Sequence, residues 1–193
     1  VISEFIIEAL AVSTTILSVI ILARGKSSGW LFSVIGSVFY CWIFVSQKLY
    51  MNALIQIVFI LQGLFGLFKW NKEVPANEQF HSIKLDFASF LIFSAVSLAV
   101  SVITTTILST LLDAQYQFVD TTLSVFSIFA TIMLIKRYIQ AWFIWMIVDV
   151  GYVYLFFEIN LWLSTGLYLL LFILCINGYV QWNKKGTIKN FLV

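Results

Sequence analysis

The stretch Trp142-Phe-Ile-Trp145-Met-Ile-Val-Asp149, continued by Tyr152 and Phe156, sets an acid among aromatic rings at intervals of three and four residues. That spacing puts all five side chains on one face of a helix. The surrounding run is almost wholly apolar, so the carboxyl group falls near the middle of a membrane-crossing segment, where an unpaired charge is costly. Two roles are open to Asp149. It is either a structural carboxylate bonded to a Tyr or Ser of a neighbouring helix, or an acceptor for ligand hydroxyls and a counter-charge to a cationic ring. Trp145, on the same face, is suited to stack on such a ring. Trp142 lies a turn closer to the membrane edge and reads either as part of that wall or as an interfacial anchor.

Other scarce polar groups fall on helix faces too. Asp120, Ser124, Ser127 and Thr131 follow one another at intervals of four, three and four, with Thr121 beside them. Asn52 and Gln56 share a face of an earlier segment, and Ser164, Tyr168 and Asn177 punctuate the last one. A buried amide must find partners, so Gln56 is either a helix-to-helix bond or a reader of a ligand's carboxamide or sugar. The candidate binding set is Asp149, Trp145, Trp142, Gln56, Tyr152, Tyr168, Ser124, Thr121, Asn177 and Tyr40, with Trp42 and Asp120 as gate or edge residues. Thr121 and Ser124 serve equally well as packing hydroxyls, and Asp120 as a solvated helix cap.

The composition fixes what must position these groups. Of 193 residues, 62% are hydrophobic, 18% aromatic and 10% charged, with a net charge of +2. Soluble domains are about 45–50% apolar and about 25% charged, so the packing medium is lipid. A mean hydropathy of +1.02 agrees. So little basic charge excludes nucleic-acid binding. Cys41 and Cys175 sit in apolar runs without metal-ligand spacing and are expected to pack as small apolar side chains. The single histidine, His81, lies in a polar loop, so no hydrolytic triad and no metal site assembles. Neither a phosphate-binding glycine loop nor a nucleotide domain is present. Neither a catalytic activity nor a cofactor is expected.

A spanning helix needs roughly 20 apolar residues. Seven stretches qualify: 4–23, 30–46, 49–69, 86–112, 118–135, 141–157 and 161–182. The first is too long, and too weakly basic at its start, for a signal peptide. Continuous apolar runs exclude a barrel, whose strands would alternate. With seven spans, Arg24, Lys26, Lys69, Lys72, Lys84, Lys136, Arg137, Lys184, Lys185 and Lys189 fall on one side, ten of the eleven basic residues, and Lys48 alone on the other. The positive-inside rule then predicts an N-out, C-in protein.

Sliding the chain by 112 residues aligns it with itself without a gap. Trp30 meets Trp142, Tyr40 meets Tyr152, Phe44 meets Phe156, Leu49 meets Leu161 and Gly66 meets Gly178, while Trp70-Asn71-Lys72 meets Trp182-Asn183-Lys184. The expected organisation is a three-helix repeat over 1–72, a cytoplasmic loop over 73–85, a linker helix over 86–112, a second repeat over 118–184 and a tail over 185–193. The fold class is all-α integral membrane, 3+1+3. One linker span returns the chain, so the repeats run parallel. Asp149 has Ser37 as its counterpart, and an asymmetric site suits an asymmetric ligand. Trp30, Trp70 and Trp182 are expected at the membrane edge as anchors.

The layout resembles the SWEET architecture. The Trp142–Asp149 stretch, Asp120-Thr121-Thr122-Leu123-Ser124, Leu49-Tyr50 with Gln56, and the Trp70 and Trp182 closures resemble the PnuC family of bacterial vitamin-precursor transporters, over nearly the whole chain. At 127–131 the chain reads Ser-Ile-Phe-Ala-Thr, where riboside carriers tend to have a glutamine near Thr131. The resemblance implies downhill uptake of nicotinamide riboside across the bacterial inner membrane, with thiamine, riboflavin or a deoxynucleoside as alternatives. Nicotinamide riboside and thiamine both carry a cationic aromatic ring. The resemblance further implies a homo-oligomer, a trimer, and a separate cytoplasmic kinase that traps the substrate by phosphorylation. The competing class is a non-transporting membrane receptor or scaffold on the same fold.

Overall fold

In a bilayer every backbone polar group must be satisfied within the segment, which makes each long apolar run a helix. The computed structural model describes residues 2–46, 50–73, 80–110, 117–158, 160 and 162–190. Lys48, Leu49 and Leu161, which entered the charge count and the repeat, and residues 74–79 of the expected loop lie outside the described residues. Seven helices follow: α1 (Ile2–Ala23), α2 (Ser28–Ser46), α3 (Tyr50–Glu73), α4 (Phe87–Ser109), α5 (Gln117–Ile135), α6 (Ala141–Glu158) and α7 (Trp162–Lys184). All seven are long and apolar enough to cross a membrane. They match the expected spans to within a few residues at each end. The chain divides into two units, Val1–His81 and Ser82–Val193.

In the first unit α1 packs on α2 and α2 on α3. The α1–α2 turn is a left-handed cap: Gly25 has φ 69°, its N–H donates to the Leu22 carbonyl (2.8 Å), and the Lys26 N–H donates to Ile21 (3.3 Å). This is the double closure that satisfies the last carbonyls of a helix. Phe80 lies over the turn, so close that a Cβ on Gly25 would stand 2.4 Å from its ring carbon Cγ. Gly25→Ala therefore combines a disfavoured backbone angle with overpacking, and is expected to cost about 2 kcal/mol or more. Unfolding in micelles checks this. In a double-mutant cycle, Phe80→Ala should remove the steric part of the loss.

The second unit builds the same turn 112 residues later, between α5 and α6. Arg137 has φ 62°, its N–H donates to Leu134 (2.9 Å), and the Tyr138 N–H donates to Met133 (2.9 Å). In this unit α4 packs on α5, α5 on α6 and α6 on α7. Helix α4 is capped by Asp86, whose carboxylate accepts from the Ser89 N–H (2.9 Å) and hydroxyl (2.6 Å). These bonds hold the Asp86 carboxyl below the usual carboxylate range, so the cap is complete above that range and is lost as pH falls through the lowered value. The buried side of α4 carries Ser97 and Ser101. Their hydroxyls donate back to the Phe93 and Leu98 carbonyls, and such small residues let membrane helices approach closely. The Thr106 hydroxyl likewise donates back to the Val102 carbonyl (2.8 Å).

The segments expected as a polar loop and a tail are more ordered than the sequence suggests. Ser82–Leu85 forms β1 and Thr187–Asn190 forms β2, paired in parallel with Ile83 opposite Ile188. On β1 the Ile83 N–H donates to the Arg137 carbonyl, and the Ile139 N–H donates to the Ile83 carbonyl, both at 2.9 Å. The Gln140 amide completes the edge: its Nε2 donates to the Leu85 carbonyl (2.8 Å) and its Oε1 accepts from the Leu85 N–H (3.2 Å). Ser82 is fully buried, with its hydroxyl 3.4 Å from the carbonyls of Trp182 and Gly186. Burial of Ser82 and Leu85 against the helix ends is what orders this stretch.

Candidate functional site

Helices α6 and α7 run antiparallel in the second unit, and their facing residues form three layers. At one end Trp142 meets Trp182 edge to face, with ring centres 5.3 Å apart and planes at 86°. Gly178 makes room, since a Cβ there would stand 2.6 Å from Trp142 Cη2. In the first unit Trp30 and Trp70 meet the same way, at 5.6 Å and 88°, over Gly66. All four indoles are 1% exposed or less. The expectation that Trp30, Trp70 and Trp182 are edge anchors is therefore corrected: these rings clasp helices from within. Trp142, which the sequence left as either part of a ring-stacking wall or an interfacial anchor, packs in the second clasp, and the glycine one turn before each closing tryptophan makes the room.

The middle layer holds Asp149, seven residues along α6 from Trp142 and so about 10 Å away by helical rise. It is 1% exposed. Its Oδ2 accepts a hydrogen bond from the Cys175 thiol on α7, at 3.4 Å. Its Oδ1 is buried and has no partner among the described residues. A half-satisfied carboxylate inside a bilayer protein is expensive, and the missing donor has to come from outside this set.

The third layer is aromatic. Tyr152 packs on Tyr168 (4.7 Å between ring centres) and stacks on Phe156 (5.6 Å, planes 16° apart), and Phe156 in turn meets Tyr168 (5.3 Å). The Tyr152 hydroxyl lies 3.2 Å from the Ser124 hydroxyl on α5. Leu123 reaches α6 at Gly151, where a Cβ would stand 2.3 Å from its Cδ2. The small residue thus lets α5 and α6 approach closely.

Asp149, Tyr152, Tyr168 and Ser124 are therefore brought together in one unit. Trp145 lies on the same helix, half-buried, and Thr121 is buried one turn before Ser124. Ser127 and Thr131 are buried and donate back to the Leu123 and Ser127 carbonyls (2.8 and 2.9 Å), so those two hydroxyls are already engaged. Asn177, Asp120 and Trp42 are exposed. Tyr40 and Gln56 belong to the first unit and are half-buried there. Tyr40 stacks on Phe44 (6.0 Å, 20°) much as Tyr152 stacks on Phe156. Ser37, buried, stands at the position equivalent to Asp149. Sequence reasoning missed Cys175, although it stands seven residues from both Tyr168 and Trp182 and hence on their helix face.

The model of the nicotinamide mononucleotide transporter family matches residues 5–184. The chain belongs to that family. This is a family of membrane transporters, not of enzymes, and its seven apolar helices make the chain a multi-pass inner-membrane protein. Among its relatives, the nicotinamide riboside transporter PnuC of Escherichia coli is 22% identical, covering 91% of this chain and 84% of its own. The protein of the same name from Neisseria mucosa is 26% identical, over 92% and 72%. A solved structure, the crystal structure of the vitamin B3 transporter PnuC, superposes with a TM-score of 0.78 at 23% identity. It covers 93% of this chain and 81% of that one, so the two share a fold.

Proposed function

We propose that this family member carries nicotinamide riboside by facilitated diffusion. The observation that carries the reading is the buried Asp149 carboxylate, one of whose oxygens has no partner among the described residues, set beside Tyr152, Phe156 and Tyr168. An acceptor next to aromatic rings suits a ligand with sugar hydroxyls and a flat cationic ring. Trp145 supplies a further ring on the Asp149 face, and Thr121 a further hydroxyl on α5. Alternating exposure of this site to the two sides of the membrane carries the ligand across. The near-identical turns at Gly25 and Arg137 and the two tryptophan clasps support the repeat. The N-terminus faces outward, the protein assembles as a trimer, and a cytoplasmic kinase traps the product.

Charge separates the riboside from its phosphorylated form. Helices α1, α2, α4, α5 and α6 contain no Lys or Arg, and those of α3 and α7 fall only near their ends, at Lys69, Lys72 and Lys184. A phosphate dianion would meet Asp149 with no cation to offset it, a repulsion that a low-dielectric site strengthens. Sealed vesicles containing only this protein are expected to equilibrate labelled riboside and not the mononucleotide. Competition by thiamine, riboflavin and a deoxynucleoside ranks the alternatives, and accumulation above equilibrium under a proton gradient would contradict the facilitator. Vesicles no more permeable to any of these than empty ones would point instead to a receptor or scaffold.

A further inference from the structure

We propose that Cys175 is a positioning residue of this site, its thiol holding one oxygen of Asp149 so that the other is presented to the ligand. The inference rests on the reading of Asp149 as the ligand's acceptor. Three observations carry it. The Cys175 Sγ donates to Oδ2 at 3.4 Å. Oδ1 is buried and unpartnered among the described residues. Both residues are nearly inaccessible, at 4% and 1% exposure.

A carboxylate offers about four acceptor sites on two oxygens, and its terminal torsion is a soft, nearly two-fold one. Unheld, it presents either oxygen in many orientations. A thiol is a weak donor, so it fixes the plane of the group without satisfying it. The Tyr152 hydroxyl, a turn away, is paired with Ser124 at 3.2 Å instead. In the first unit the positions equivalent to Asp149 and Cys175 are Ser37 and Gly63. Acid and thiol thus occur together in one repeat and are both missing from the other, as expected of a pair with a shared task.

Binding of nicotinamide riboside to the purified full chain tests the assignment. Cys175→Ala is expected to weaken binding about fivefold, the worth of one hydrogen bond, while Cys175→Ser, which keeps a donor, stays within about twofold of wild type. Serine and alanine both lose the bulk of the sulfur, so a packing role would weaken both alike and overturn the inference. Wild-type affinity in Cys175→Ala would overturn it as well. If the smaller side chains unfold the protein, Cys175→Thr and Cys175→Val repeat the comparison at near-equal volume. Asp149→Asn separates the two levels. Loss of binding there with none in Cys175→Ala removes only the role of Cys175, whereas wild-type binding in Asp149→Asn removes that role and the reading beneath it.

Discussion

Asp149→Asn is expected to lower riboside uptake by about tenfold to a hundredfold and to leave the folded protein as stable as before, or more so. The two readouts part for a physical reason. The carboxylate is buried, and one of its oxygens has no partner among the described residues, so the fold already bears its desolvation, and a neutral amide of the same shape relieves that cost. A ligand hydroxyl or cation, by contrast, loses a charge-assisted bond worth about 1.5–3 kcal/mol. Uptake into vesicles and thermal unfolding of the same preparations check both halves. Parallel loss of uptake and stability would mean that Asp149 is a structural acid, and unchanged uptake would remove it from the site.

The second large effect concerns the clasps. Gly178→Ala places a methyl group 2.6–2.7 Å from three carbons of the Trp142 ring, and Gly66→Ala does the same to Trp30 at 2.6–2.9 Å. Each ring is wholly buried and held by its partner indole, so neither can swing aside without opening the helix contact. Each substitution is expected to cost about 1–3 kcal/mol. Gly166→Ala is the control on α7, because nothing lies within 4 Å of the added carbon, and better helix propensity should leave it neutral or slightly stabilising. Adding Trp142→Phe to Gly178→Ala should recover part of the loss. If Gly178→Ala and Gly166→Ala behave alike, the close approach does not hold the helices.

The helices were legible because lipid leaves an apolar run of that length no other form, and interruptions such as Arg24 to Gly29 mark where they stop. Asp149 was legible for the same reason, as a polar group that could not be there by default. The tryptophans were misjudged because a Trp near a span's end fits two environments that composition cannot separate. What separates them is the phase of Gly66 before Trp70 and of Gly178 before Trp182, a small residue opening a seat for a large one. Cys175 was hidden by its chemistry, since a thiol in an apolar run looks like any small apolar side chain until its partner is known. The strands were out of reach altogether. Each has four residues, and their pairing joins Ser82 to Thr187 across a hundred positions, a partnership no local pattern announces.

That pairing also alters what kind of object the second unit is. Its chain enters at β1 and leaves at β2, and the two strands lie side by side in register from Ser82 and Thr187 to Leu85 and Asn190. The polypeptide from 82 to 190 is therefore a ring closed by hydrogen bonds, with the α5–α6 turn fastened to the seam through Ile83 and Gln140. Closing the ends of a chain on one another removes conformational freedom from the open chain between them. The seam thus ties the entry to α4 and the exit from α7 to the same end of the unit as the Trp142–Trp182 clasp, with the Ser82 hydroxyl 3.4 Å from the Trp182 carbonyl.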